Sequence, residues 1–239
     1  MKALSILLAL YGSLNAQSYP RWFLEPIGLT CGPTACGYVT PSFYRSSSDS
    51  AAFLNGCENL AHQHFAEISG GESYWETEAG VYWMGNDFKE KIDSSYLAEC
   101  ISKANRAAVF AIPGIELVLV SERDCIIPDS MSKVVRCSGK SPAWVDTIPD
   151  VPGYIYATGV APQYFYESSS WRSAEKKARF NLAREIRVSL KALQKVDQSS
   201  GQEIRSEEIS GSVSKMEVVY RWRDVRQGLY LVLMRAPSE

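Results

Sequence analysis

The residues of this chain best suited to redox, metal or nucleophilic chemistry are its six cysteines and two histidines. Cys31, Cys36, Cys57, Cys100, Cys125 and Cys137 form an even set, which in an oxidising compartment favours disulfides over metal ligation. Sequence does not select among the many pairings that six cysteines allow, but Cys125–Cys137 would close a Pro- and Ser-containing loop and is the favoured pair. Cys57 and Cys100 fall on predicted helices, either bonded or buried as free thiols. His62 and His64 stand two residues apart on a predicted helix, whereas a helical metal pair needs i,i+3 or i,i+4 spacing to share a face. They read as one buried and one surface histidine, and neither a zinc site nor a histidine-based triad is expected.

Serines 46–48 and 168–170 could suggest a nucleophile, but neither triplet stands in a G-x-S-x-G elbow. Ser48 and Ser170 are better placed to cap helices by accepting amide hydrogens of the first turn. The carboxylate pairs Glu76 and Glu78, and Glu207 and Glu208, lie on polar stretches and read as solvated faces. No Gly-rich phosphate cradle is present. The chain is therefore expected to be no enzyme and to take no cofactor or metal.

One stretch is rich in charge. Between residues 171 and 195 stand eight basic residues and only two acidic ones, Glu175 and Glu185. Arg172, Lys176, Lys177, Arg179, Arg184, Arg187 and Lys191, with Phe180 off the apolar stripe, form a candidate partner surface. The plainer reading is a solvated helix face neutralised by Glu203, Glu207 and Glu208. The six tryptophans offer a carbohydrate-stacking platform, but Trp22 and Trp144 occupy matching places in an internal repeat and read as structural anchors.

The elements that must position these residues follow from that repeat. At an offset of 122, residues 20–61 match residues 142–183 without gaps, 13 of 42 pairs being identical. Chance would give about two or three. Identities include Pro20/Pro142, Trp22/Trp144, Gly37/Gly159, Phe43/Phe165, Tyr44/Tyr166 and Asn59/Asn181. The second copy reads as a strand (154–161), then a helix (171–195) with Ala174, Ala178, Leu182, Ile186, Leu190 and Leu193 along one face. His64 aligns with Ile186, a predicted core position. Two antiparallel strands follow, at 213–223 and 229–236. The first copy has a strand at 35–39, a helix at 50–68, a strand at 74–84, an inserted helix at 87–104, and strands at 107–112 and 116–121. The expected fold class is α+β, two tandem copies of a helix packed on an antiparallel sheet (strand-helix-strand-strand). The first module spans 17–138 and the second 139–239.

Lys2, an apolar run over 3–11 and Ala16 before Gln17 read as a signal peptide over residues 1–16. No cysteine lies at that junction to carry a lipid anchor, and no later stretch has the ~20 apolar residues of a membrane helix. The formal net charge of −2 gives no global pull toward nucleic acid. The chain is expected to be exported, to the periplasm or to the cell surface and beyond.

In the second copy, Pro142 and Trp144, the Gly159 strand, Tyr166 with serines 168–170, and Ala174, Ala178, Arg179, Asn181, Leu182 and Ala183 resemble the LPP-twenty lipoprotein family of bacterial surface proteins. That family is related to the flagellar basal-disk protein FlgP and to the N-terminal domain of flagellar assembly protein T. The resemblance covers about the last 100 residues. It implies no catalysis and no cofactor, but envelope or flagellar proteins, or a second copy, as partners. The lipidation cysteine of the family is missing. The expectation is thus a non-catalytic assembly protein of the envelope. The alternative is a soluble ligand- or glycan-binding protein using the aromatic-rich first module.

Overall fold

A computed structural model describes residues 18–77, 80–137, 140–192 and 205–238. The expected signal peptide, residues Glu78, Ser138 and Gly139, and the far end of the basic stretch, including Leu193, Lys195 and Glu203, lie outside them.

The first half runs β1 (Ser18–Pro20), α1 (Arg21–Leu24), a 3-10 turn (Pro26–Gly28), β2 (Thr34–Val39) and α2 (Arg45–His64). It continues through β3 (Phe65–Thr77), β4 (Gly80–Asn86), β5 (Lys89–Ile92), α3 (Ser94–Lys103), β6 (Asn105–Ile112) and β7 (Ile115–Ser121). After α4 (Asp129–Ser132) and β8 (Val134–Arg136), the second half runs α5 (Ala143–Asp146), β9 (Tyr154–Pro162) and α6 (Glu167–Ala192). It closes with β10 (Arg205–Ser214), β11 (Glu217–Asp224) and β12 (Leu229–Pro237). The α+β class expected from the sequence is observed.

Two three-stranded antiparallel sheets carry the fold, in the orders β2-β7-β6 and β9-β12-β11. In each the last strand of its half lies in the middle, which explains the nearly unbroken apolar runs of β7 and β12: every residue of β7 is buried. In each sheet the register slips at one residue, between Arg106 and Ala108 in β6 and between Val218 and Tyr220 in β11.

The helices lie on these sheets at close range because a glycine faces each. A Cβ on Gly37 would stand 1.8 Å from the Ala52 carbonyl oxygen, and one on Gly159 would stand 2.0 Å from that of Ala174. Asn59 donates to the Cys36 carbonyl and Asn181 to the Thr158 carbonyl, which ties helix to strand at matching places. Ser48 and Ser170 were expected as helix caps. Both helices instead begin three residues earlier, and the two hydroxyls accept the backbone N–H of Ser42 (2.6 Å) and Tyr164 (2.8 Å). They pin the preceding loop rather than the helix end.

Other element boundaries differ from expectation for local reasons. The strand expected at 74–84 is the β3–β4 hairpin. The helix expected at 87–104 is β5 followed by α3, because Asp93 caps α3 by accepting from the amides of Ser95 and Tyr96. The helix expected to reach residue 68 gives way at Phe65 to β3. The strand expected at 213–223 divides at Lys215, whose φ of 54° lies in the left-handed region.

The two halves are interleaved. β10 pairs with β3 over its whole length, and β1 pairs with β8. Trp22 and Phe23 of the first half share one core with Trp171, Ala174, Ala178, Leu182 and Val232 of the second. Phe23 sits edge-on to both Tyr38 and Trp171, bridging β2 and α6. Trp144 anchors a smaller cluster with Val219, Leu231 and Leu233 on the outer face of the second sheet. Among the described residues no helix is long and apolar enough to cross a membrane.

Candidate interaction face and the buried charge network

The basic helix is largely interior. Only Arg172 of the candidate surface is fully exposed; Lys176, Lys177, Arg184 and Arg187 are half-buried, while Arg179 and Phe180 are buried. The Lys191 side chain lies outside the described set. The expectation of an outward basic face is therefore corrected at Arg179 and Lys176, and Phe180 packs against the first half, one of the two placements its off-stripe position allowed, rather than standing free for a partner. Phe180 stacks on Phe88, with ring centroids 3.5 Å apart, and Lys176 Nζ donates to the Phe88 carbonyl. The physical reason is that α6 has its own sheet on one side and first-half elements on another, so one apolar stripe does not describe its burial.

Arg179 belongs to a buried chain of alternating charges. It grips Glu90 of β5 with two bonds, Nε–Oε1 at 2.6 Å and Nη2–Oε2 at 3.0 Å, and Nη1 lies 3.8 Å from Glu175. Glu175 in turn accepts from Arg221 Nε of β11 at 2.9 Å, and Arg221 Nη1 donates to the Phe23 carbonyl at 2.7 Å. The guanidinium also lies over the Phe23 ring. Glu90, Arg179, Glu175 and Arg221 thus sum to zero charge and link the insert, α6, β11 and α1. Burial alone would raise the Glu90 carboxyl, but Arg179 beside it holds it below the usual range. Burial opposes the charge on Arg179 and Arg221, and the neighbouring glutamates more than offset it, raising both.

A second polar knot ties β1 to α6. The Tyr19 hydroxyl and Trp171 Nε1 both donate to Glu167, and burial keeps the Tyr19 phenol protonated far above its ordinary range.

The histidines do point apart, but the order differs from expectation. His64, aligned with a predicted core position, is exposed and stacks flat on Tyr96 at 4.0 Å. His62 is the half-buried one; its Nδ1 is buried with no hydrogen-bond partner, and burial, then Arg179, lowers its pKa to about 4. It faces Arg179, Lys176 and Glu90 and is held neutral. Among the described residues no group of three or more His, Cys, Asp or Glu could hold a metal ion.

The expected Cys125–Cys137 bridge is also corrected. Cys125 pairs with Cys31, their Cα atoms 5.0 Å apart, while Cys137 is a buried free thiol. The pairing of β8 with β1 carries Cys137 into the interior, where it accepts a hydrogen bond from the Arg223 amide. Burial pushes the thiols of Cys36 and Cys137 up to about 11, so both stay protonated.

A cleft of about 570 Å³ opens among Leu29, Pro33, Leu60, His64, Tyr96 and Met216. Most charges at its wall are already engaged, Arg221 with Glu175, Arg235 with Glu217, and Glu122 with the Tyr96 hydroxyl; Lys215 also lines it. That arrangement can hold an apolar or amphipathic molecule, but it assembles no nucleophile with its base.

Among the large apolar side chains that the fold leaves exposed, which also include Ile126, are two aromatic dipeptides. Phe43 is 95% and Tyr44 70% exposed; Phe165 is 93% and Tyr166 53% exposed. Each pair precedes a long helix and stands edge-to-face within itself. Thr40 Oγ1 and Ser168 Oγ are hydrogen-bonded at 2.9 Å, which ties the loop before Phe43 to the first turn of α6, just after Phe165-Tyr166. These four residues were visible in sequence as repeat identities in Ser- and Pro-bearing loops, belonging to no amphipathic pattern, and that signal could have marked them.

No family model matches the chain, and no curated protein or solved structure matches it significantly.

Proposed function

We propose that this chain is a non-catalytic protein of the bacterial cell envelope that acts in protein–protein assembly, docking through the adjacent aromatic pairs Phe43-Tyr44 and Phe165-Tyr166. The observation that carries this reading is their exposure: two nearly fully exposed phenylalanines, identical in the two halves, with the loop of the first tied by Thr40 to the helix turn that follows the second. A single exposed aromatic is commonplace, but a doubled Phe-Tyr pair concentrates the side chains that most often dominate binding energy at interfaces. The hydroxyls of Ser48 and Ser170 hold both loops from behind, so the rings are presented with little ordering left to do on binding. Arg172, exposed on the first turns of α6, adds a positive charge near one pair.

The compartment follows from the leader-like first 16 residues, and the partner class, flagellar or outer-membrane assembly proteins or a second copy, from the family resemblance. The test is affinity capture of the tagged chain from crosslinked envelope fractions. A recurring protein partner should be retained by the wild type, lost with the Phe43→Ser/Phe165→Ser double variant, and weakened by Arg172→Glu. A bait that recovers the same proteins with and without both phenylalanines would overturn the reading. The cleft near His64 and Tyr96 favours a second reading, a soluble ligand- or glycan-binding protein. In that case a bound small molecule should protect the cleft, and the double variant should bind it unchanged.

A further inference from the structure

Cys57 of α2 and Cys100 of α3 are the two cysteines that the Cys31–Cys125 bridge and the buried polar knots leave unexplained. They lie on helices that pack against each other, in one small core with Ala35, Ala52, Phe53, Leu60, Val118 and Val120, and each is the largest influence on the other's acidity. Their access to solvent differs. Cys57 is completely enclosed, whereas Cys100 forms part of the wall of an open cavity of about 320 Å³ with Tyr96, Glu99, Lys103, Glu122 and Arg123. Cys100 thus borders a solvent-open cavity, whereas Cys57 does not.

We propose that Cys57 and Cys100 are a redox-active dithiol that exchanges with small disulfides of the glutathione type, Cys100 being the sulfur attacked from or attacking into the cavity and Cys57 the resolving one. The chemistry balances without any other reactant. The Cys100 thiolate attacks one sulfur of the small disulfide, forming a mixed disulfide and releasing one thiolate, which takes up the proton lost by Cys100. Cys57 then loses its proton and attacks the Cys100 sulfur, breaking the mixed disulfide and releasing the second small thiol. The protein loses two electrons and two protons, and the small disulfide gains both to become two thiols. The acidities run in the required direction. The neighbouring Cys57 lowers the Cys100 thiol below its ordinary pKa, while Cys100 and burial raise Cys57. Cys36 and Cys137 are almost wholly buried and have no thiol neighbour, so neither can close an intramolecular disulfide, although Cys36 also borders the separate cleft beside Leu60 and Tyr96. Oxidation would staple α3 to α2 and close the segment that carries β3, β4 and β5.

The experiment uses the whole chain, equilibrated in glutathione buffers of graded reduced-to-oxidised ratio. Samples are acid-quenched, unfolded, alkylated, digested and read by mass spectrometry. In oxidising buffers the Cys57 and Cys100 peptides should appear joined, with loss of both free thiols, and should separate in reducing buffers. Cys57→Ser should trap one glutathione on Cys100, whereas Cys100→Ser should leave Cys57 unmodified in the native protein. Recovery of both cysteines as alkylated monomers at every ratio would overturn the proposal. So would glutathione on Cys57 of C100S in protein whose Cys36 and Cys137 remain protected from native-state alkylation. That protection also reports whether each variant folds, and the wild-type titration needs no variant at all.

Discussion

Replacing Arg179 by methionine tests the buried charge network most directly. The arginine is 4% exposed and holds Glu90, whose side chain is 10% exposed, through two bonds; Glu175 keeps Arg221 as a second partner. The main consequence of Arg179→Met is therefore one buried carboxylate, Glu90, left without its cation. Breaking a buried pair from one side costs about 3–5 kcal/mol, and the slight exposure of Glu90 places this case near about 3 kcal/mol. With a urea slope of roughly 2 kcal/mol/M, the midpoint should fall by roughly 1.5 M at pH 7. Glu90→Gln should also destabilise, and the double variant should lose less than the sum of the two, with a coupling of about 2 kcal/mol. The pH dependence has a definite sign. In the wild type the Glu90 carboxyl is held low, so its contribution is fully present above about 4.5 and is lost as pH falls through its folded value. Without Arg179 only the smaller pulls of His62 and Lys176 oppose burial, so the carboxyl should rise and the variant should recover part of its loss as pH drops from 7 toward 5. His62 moves the same way, since Arg179 also depresses it. A variant within about 0.5 kcal/mol of wild type, or no coupling with Glu90→Gln, would refute the network.

Three further outcomes are expected. Gly159→Ala and Gly37→Ala should each cost about 3 kcal/mol or more in urea unfolding, because the added Cβ meets helix backbone at 2.0 and 1.8 Å, whereas Gly211→Ala, with open space around it, should change stability by less than about 0.5 kcal/mol. Since the folded pKa of His62 is about 4 and the unfolded value 6.5, stability should fall as pH drops from 6.5 to 4, by up to about 3 kcal/mol; the same titration on His62→Gln should lack that slope. Removing the Cys31–Cys125 bridge, which spans 94 residues, by a double serine substitution should lower thermal stability by about 3–5 kcal/mol while leaving Cys137 protected from alkylation.

The fold class and most of the main strands and helices were legible, because each rests on local period or on residues matched at one offset; Gly37 and Gly159 were legible only as identities, and their contact with helix backbone was not. The β12 strand, for example, is a short apolar run directly after the turn at Gly228, too short for a typical helix, and it is the central strand. The exposed Phe43, Tyr44, Phe165 and Tyr166 were legible as identities though not as a surface. The inserted region was poorly read, since β5 is short and its Lys-Glu-Lys-Ile sequence is as helix-compatible as it is strand-like until β3 pairs with it.

By itself, then, the sequence determined the α+β class, the main helices and strands, and the matched motifs, among them the aromatic dipeptides before each long helix. These depend on neighbours within a few residues. Only the tertiary structure decided that Arg179 faces Glu90, that Cys125 meets Cys31, that Cys57 meets Cys100, and that the basic helix is mostly interior. Each of those is a contact between residues tens of positions apart, and a charge or thiol has the same local sequence signature whether its partner is water or another side chain. What separates the two cases is the packing of elements that sequence period cannot order in space.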